Sequence, residues 1–178
     1  MRLGPNAIRS RAFGRCALVA AVLIAWGAAA PVARASCTDP AGPGVNWQRC
    51  IFDGSTLQDV DLSGARLRDA SFFRADLSRS DLSEVSGFKA KFVNAIMPEA
   101  KLYKAKLSEA DFTKANLTGA SLASADLRRA RFFDAILRDA DLSGARLTGA
   151  DFTRADLSGA TWTDGKRVCA EGSLGRCN

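Results

Sequence analysis

The 178 residues carry 25 basic and 19 acidic side chains and no histidine. Without imidazole the commonest general base and a frequent metal ligand are missing, which counts against hydrolase and metalloenzyme chemistry from the outset. The length suits one domain plus processing sequence, and the formal charge of +6 is unevenly placed along it.

The first segment reads as a leader. Arg2, Arg9, Arg11 and Arg15 make a basic start, and an apolar run over 17–30 is interrupted only at Trp26 and Gly27. Ala33-Arg34-Ala35 then offers the small-x-small pattern that a signal peptidase reads. Cleavage after Ala35 is expected, so residues 1–35 are a signal peptide and the mature chain begins at Ser36. A retained anchor is disfavoured, because the run is shorter than the roughly 20 residues that span a bilayer; no transmembrane segment is expected in the mature chain. Five of the arginines and none of the acids lie in 1–35, which leaves 20 basic against 19 acidic side chains in the remainder. The high pI is therefore mostly a property of the leader. A nucleic-acid partner, which needs clustered positive charge, is not expected of so neutral a body.

Cys37, Cys50, Cys169 and Cys177 follow the leader, and an even number in an exported chain reads as two disulfides. Four cysteines allow three connectivities. Their positions favour Cys37–Cys50 and Cys169–Cys177, one pair at each end of the repeats. Lipidation of Cys37 is disfavoured by Arg34, which stands where a lipoprotein signal wants an aliphatic residue.

Between the cysteine pairs the chain repeats every five residues. Stepping by five from Phe52 to Trp162 meets Leu, Phe or Met at each position but Gly87 and the closing tryptophan. Two residues earlier runs a second series, from Cys50 to Ala160, in which 18 of 23 members are alanine. The others are Cys50, Ser55, Val60, Ser80 and Val85. Five matches neither the helical period nor simple strand alternation, so the chain must turn after every unit with one large and one small side chain inward. A second period shows how the turns close. Phe52, Phe72, Phe92, Phe112, Phe132 and Phe152 lie 20 apart and are the only phenylalanines at central positions. Four repeats per coil would stack them in one ladder, with three mainly leucine ladders on the other faces.

Units such as Ala75-Asp76-Leu77-Ser78-Arg79 and Ala140-Asp141-Leu142-Ser143-Gly144 resemble the pentapeptide repeat family, over about 50–164. The resemblance implies an all-β fold, a right-handed quadrilateral β-helix, organised as an N-terminal cap over 36–50, the repeat solenoid over 51–164 and a C-terminal cap over 165–178. The tail from Trp162 through Cys177, and Trp47 before Cys50, resemble an exported bacterial subgroup with cysteine-bearing caps.

No catalytic constellation emerges. Asp61, Asp76, Asp81, Asp111, Asp126, Asp141, Asp151 and Asp156 recur just before repeat centres, where a short carboxylate is expected to hold backbone amides at a turn. Ser63, Ser78, Ser83, Ser108, Ser143 and Ser158 have no basic partner to activate them. Gly64, Gly119, Gly144, Gly149 and Gly159 close repeats rather than cradle phosphate, since no following Lys-Ser pair or strand-to-helix context exists. No catalytic, cofactor-binding or metal site is therefore assigned, and the cysteines read as bridges rather than ligands.

One stretch departs from the pattern. Gly87 replaces a large central residue, Phe88 follows it, and six of the seven lysines fall at 89–114. Phe88, Lys89, Lys91, Lys101, Tyr103, Lys104 and Lys106 form the candidate interaction patch, suited to an envelope protein or glycan. The alternative is ordinary surface variation, with Phe88 folding over a hole left by Gly87. Two classes of function follow: a non-enzymatic scaffold or protein-interaction module in the bacterial envelope, periplasmic or secreted, and a DNA-mimicking topoisomerase-binding protein of the kind the family resemblance implies. The export signal and the near-neutral mature charge oppose the second. A homodimer through the coil ends is compatible with either.

Overall fold

A computed structural model describes residues 36–178; the basic start, the apolar run and the cleavage motif at Ala33-Arg34-Ala35 lie outside the described residues. Within them, the unit from Asp111 to Ala115 shows what each repeat does. Asp111 bridges to Lys91 on one side and Arg131 on the other. Phe112 and Ala115 point inward and are fully buried. Thr113 and Lys114 make a turn, closed by the Ala115 N–H donating to the Phe112 carbonyl at 2.9 Å. Lys114 has a φ of 57°, the left-handed value that the second central residue of a type II turn requires.

That turn recurs in every unit from 49 to 159, and 17 of those 23 left-handed positions are not glycine. Most turns thus carry a small backbone strain that burial of the inward pair must outweigh. Gly64 has this conformation with open space around it, whereas Gly42 has equal space and no positive φ. Gly64→Ala should cost about 1 kcal/mol and Gly42→Ala close to nothing, read by paired urea titrations. Equal costs would show that the turn is not what distinguishes the two sites.

Backbone hydrogen bonds tie each unit to the coils before and after. The Asp111 N–H donates back to Ala90, and the N–H groups of Phe112 and Lys114 donate forward to Arg131 and Phe133. Twenty parallel bridges, from Asn46↔Arg66 to Asp141↔Thr161, each join residues 20 apart, so four repeats complete one coil. The six phenylalanines stack in one column with centroids 4.8–5.5 Å apart and rings within 17° of parallel. Leucines fill the other inward columns, and alanine lines the corners where backbones approach. Ser80 replaces alanine in that series and is fully buried; its hydroxyl donates to the Leu57 carbonyl, which satisfies it.

The expected all-β right-handed quadrilateral β-helix needs correction. Among the described residues there is no helix and no β-sheet: every bridge is a single isolated residue pair, so no strand forms and the terms β-helix and solenoid do not describe what is seen. The reason lies in the repeat's length. Of five residues, two are spent on the turn and two face inward, so only one can pair laterally before the chain bends again.

Each end is closed differently. Trp47 is buried, lies tilted against Phe52 with ring centroids 4.1 Å apart, and donates its indole N–H to the Asp39 carbonyl. Cys37–Cys50 ties that segment down. At the other end the tail folds back antiparallel, with bridges Thr161↔Val168 and Asp156↔Leu174. Its carbonyls at Arg167, Cys169 and Ser173 accept from the N–H groups of Trp162, Gly159 and Leu157, which have no following coil to bond. Cys169–Cys177 closes the tail on itself. Trp162 lies half-buried, 5.9 Å from the Phe152 ring.

Candidate functional site

The eight recurrent aspartates are bridge residues whose carboxylates hold the turn that follows. Each accepts from the backbone N–H two positions on: Ser63, Ser78, Ser83, Thr113, Arg128, Ser143, Thr153 and Ser158, at 2.8–3.4 Å. Hydrogen bonds from Thr153 hold Asp151 below the ordinary carboxylate range, and the Arg128 guanidinium does the same for Asp126. At Asp76 and Asp156 partial burial pushes upward, but bonds from Ser78 and Ser158, aided by Gln58 and Arg138, outweigh it. Asp76, Asp126, Asp151 and Asp156 thus favour the folded state as anions. Their folded values lie below the unfolded ones, so their contribution is complete above the unfolded value near 4 and is lost as pH falls through the folded values. With no histidine in the chain, the melting temperature should stay level between about pH 5 and 8 and decline only below about pH 4. A decline starting near pH 6 would contradict this assignment. Among the described residues, no group of three or more histidine, cysteine or acidic side chains sits together to hold a metal ion.

The lysine-rich stretch does not form one patch. It runs nearly once around the coil, which divides it. Phe88 and Lys89 occupy one turn, with Lys91 on the face that follows and Lys106 on the face that precedes it in the next coil. Lys101 lies on a different face, and Tyr103 and Lys104 form another turn, the ammonium 4.9 Å from the ring centroid. Phe88 does not cover a hole at Gly87. It stays in its turn, half-buried, with the Arg68 guanidinium and the Lys89 ammonium 5.0 and 5.1 Å from its centroid. The space at Gly87 is taken by Leu107, whose Cδ2 would lie 2.8 Å from an added Cβ.

What the coil brings together instead are residues 20 apart. Lys89, Glu109 and Arg129 stack in one column, with the carboxylate 3.7 Å from the lysine and 3.5 Å from the arginine. Lys91, Asp111 and Arg131 stack beside them, the last two 3.5 Å apart. These six line an open groove of about 540 Å³. Sorting every bridge column and turn column by charge shows a wider asymmetry. The Asn46-to-Arg146 face, together with the turns at 48–49 and every 20 residues after, holds eight basic and three acidic side chains. The opposite side comprises the Thr56-to-Asp156 and Asp61-to-Thr161 faces and the turns between them, and holds eight acidic and three basic ones. Arg49, Arg66, Arg68, Arg128, Arg129 and Arg146, absent from the lysine-based patch, belong to this arrangement. Their signal was in the sequence, at a period of 20 rather than in local density.

The family model described as pentapeptide repeats matches residues 43–69, 50–86, 65–102, 95–134 and 125–161. The chain belongs to the pentapeptide repeat family. Among solved structures it is similar to HetL, a pentapeptide repeat protein involved in heterocyst differentiation regulation in the cyanobacterium Nostoc sp., at 32% identity over 70% of this chain and 64% of that one, with a TM-score of 0.30. It is 23% identical to trypsin-treated QnrB1, a plasmid-mediated fluoroquinolone resistance protein, over 67% and 64% of the two chains, with a TM-score of 0.38. A pentapeptide repeat protein from the Arabidopsis thaliana thylakoid lumen is 26% identical over 72% and 84%, with a TM-score of 0.29. The chain thus spans 64% of the length of HetL and of QnrB1. No curated protein matches it.

Proposed function

We propose that this pentapeptide repeat protein is an exported, cysteine-capped member of its family, acting as a non-enzymatic scaffold or protein-interaction module in the periplasm or outside the cell. The observation that carries the reading is the pair of local disulfides, Cys37–Cys50 and Cys169–Cys177, one at each end of the coil. Structural disulfides persist in oxidising compartments and are rare in the cytosol. The basic start and Ala33-Arg34-Ala35 support the same route. No helix among the described residues is long and apolar enough to cross a membrane. DNA mimicry fits less well: acidic side chains predominate on one side only, eight against three basic ones, and the opposite side is basic in the same ratio. Fractionation of cells expressing the tagged chain tests the reading. A shortened product starting at Ser36, outside the cytoplasm and with no free thiol, is expected. A full-length cytoplasmic product with reactive thiols would overturn it.

A further inference from the structure

The face running from Asn46 to Arg146 places Arg66, Lys106 and Arg146 in one exposed column, each separated from the next by one uncharged or acidic residue. We infer that this face is a docking surface for a linear acidic polysaccharide laid along the coil axis and held by a cation on every second coil. The inference rests on the scaffold reading above and gives its partner a chemistry.

Register comes first. Successive coils are one hydrogen-bonded spacing apart, so cations on alternate coils recur about every 10 Å. The adjoining turn column repeats that step with Arg49, Lys89 and Arg129, alternating with Asp69 and Glu109. A polymer of sugars with one acid on every second ring presents charge at a comparable interval. One strand of duplex DNA presents a phosphate about every 3.4 Å along its axis, so most of its charges would meet no partner here.

Availability is the second point. Lys89 and Arg129 are already engaged by Glu109, but Arg66, Lys106 and Arg146 make no ion pair among the described residues. A ligand can therefore reach them without first breaking an ion pair, and Arg146 feels a longer-range attraction to Asp126 beside it in the column. The third point is what the surface lacks. Single-stranded nucleic acid is gripped by successive stacking platforms. Phe88, the aromatic residue of this side, already carries a cation against its ring, and Phe73, Tyr103 and Phe133 lie in other columns. The acidic opposite side repels any anion that wraps around the coil, which leaves one strip and favours a narrow linear chain.

The experiment uses the intact, oxidised protein and calorimetric titration at low and high salt. The probes are a hyaluronan oligosaccharide, with one carboxylate per disaccharide, a phosphorylated mannan, neutral dextran, and DNA of equal charge. The two acidic glycans separate carboxylate from phosphate recognition, and binding of either, lost at high salt, supports the inference. The triple variant R66S/K106S/R146S should weaken that binding by about tenfold. A second triple, K101S/K114S/R154S, makes the same charge change in other columns and should leave it within about twofold. Retained melting temperatures in both variants guard against misfolding. Equal loss in the two triples would show that net charge alone is read, and tighter binding of DNA would show a nucleic-acid surface. Self-association in place of polymer binding would show that the acidic side of a second copy occupies the face. Any of these overturns the inference. Because binding is measured on purified protein, its failure leaves the export result standing, and the reverse also holds.

Discussion

Replacing Phe112 by Ala should lower the unfolding free energy by about 3–5 kcal/mol. Phe112 is fully buried, with the Phe92 ring 4.9 Å away on one side and the Phe132 ring 5.0 Å away on the other. Those rings sit on coils held by backbone hydrogen bonds above and below the site, so neither can move inward to fill the gap. The cavity persists, and the lost ring contacts add to the lost burial. Phe52→Ala should cost clearly less, because Phe52 is half-buried and Trp47 is its neighbour on the outer side. Urea denaturation of both variants checks the pair. A loss of less than about 1 kcal/mol for Phe112→Ala would mean that the column relaxes as a fluid core, contrary to its geometry.

Reducing both disulfides should loosen the two ends while the middle coils keep their hydrogen bonds. The bridges close short loops, with sequence separations of 13 and 8, for which chain entropy gives about 2.5–3 kcal/mol each. Apolar burial adds little to the tail's attachment. Val168 and Leu174 remain 60% and 62% exposed, so burial there comes down to the two bridged cysteines, Cys169 and the partly buried Cys177. The remaining attachment is polar: backbone bonds from Leu157, Gly159 and Trp162 to tail carbonyls, and from Cys169 and Gly175 back to Ala160 and Ala155. A bond from the Gly172 N–H to the Ser158 hydroxyl and the exposed Arg138–Glu171 ion pair add to it, and water can replace all of these once the tail is free. Under reduction, amide exchange should accelerate first at 37–50 and 165–177 and last in the central coils. Sedimentation should then show oligomers, because the uncovered last coil offers unpaired backbone groups to another chain. Uniform acceleration along the chain would refute a separate role for the caps. Exchange unchanged by reduction would place the stability of the ends elsewhere.

Much of this protein was legible before any coordinates. Two inward series in phase every five residues left few ways to bury both, and the six phenylalanines at intervals of 20 implied four repeats per coil. The cysteine positions favoured pairing within each end, because a stacked chain keeps its ends apart. These are one-dimensional signals: each coil touches only its neighbours, so sequence distance translates directly into axial distance. What the period left open was decided by local geometry. Only the fold shows that one residue per repeat pairs laterally, which replaces the expected sheet with isolated bridges, and that lysine, arginine and glutamate adopt left-handed turns that glycine would take more easily. It also separates Tyr103 from Phe88, which linear proximity had joined, and unites Arg66 with Arg146, which are 80 residues apart. The fold back of the tail had no periodic signal at all. It follows from the last coil's need for hydrogen-bond acceptors, and that need exists only once the coil has formed.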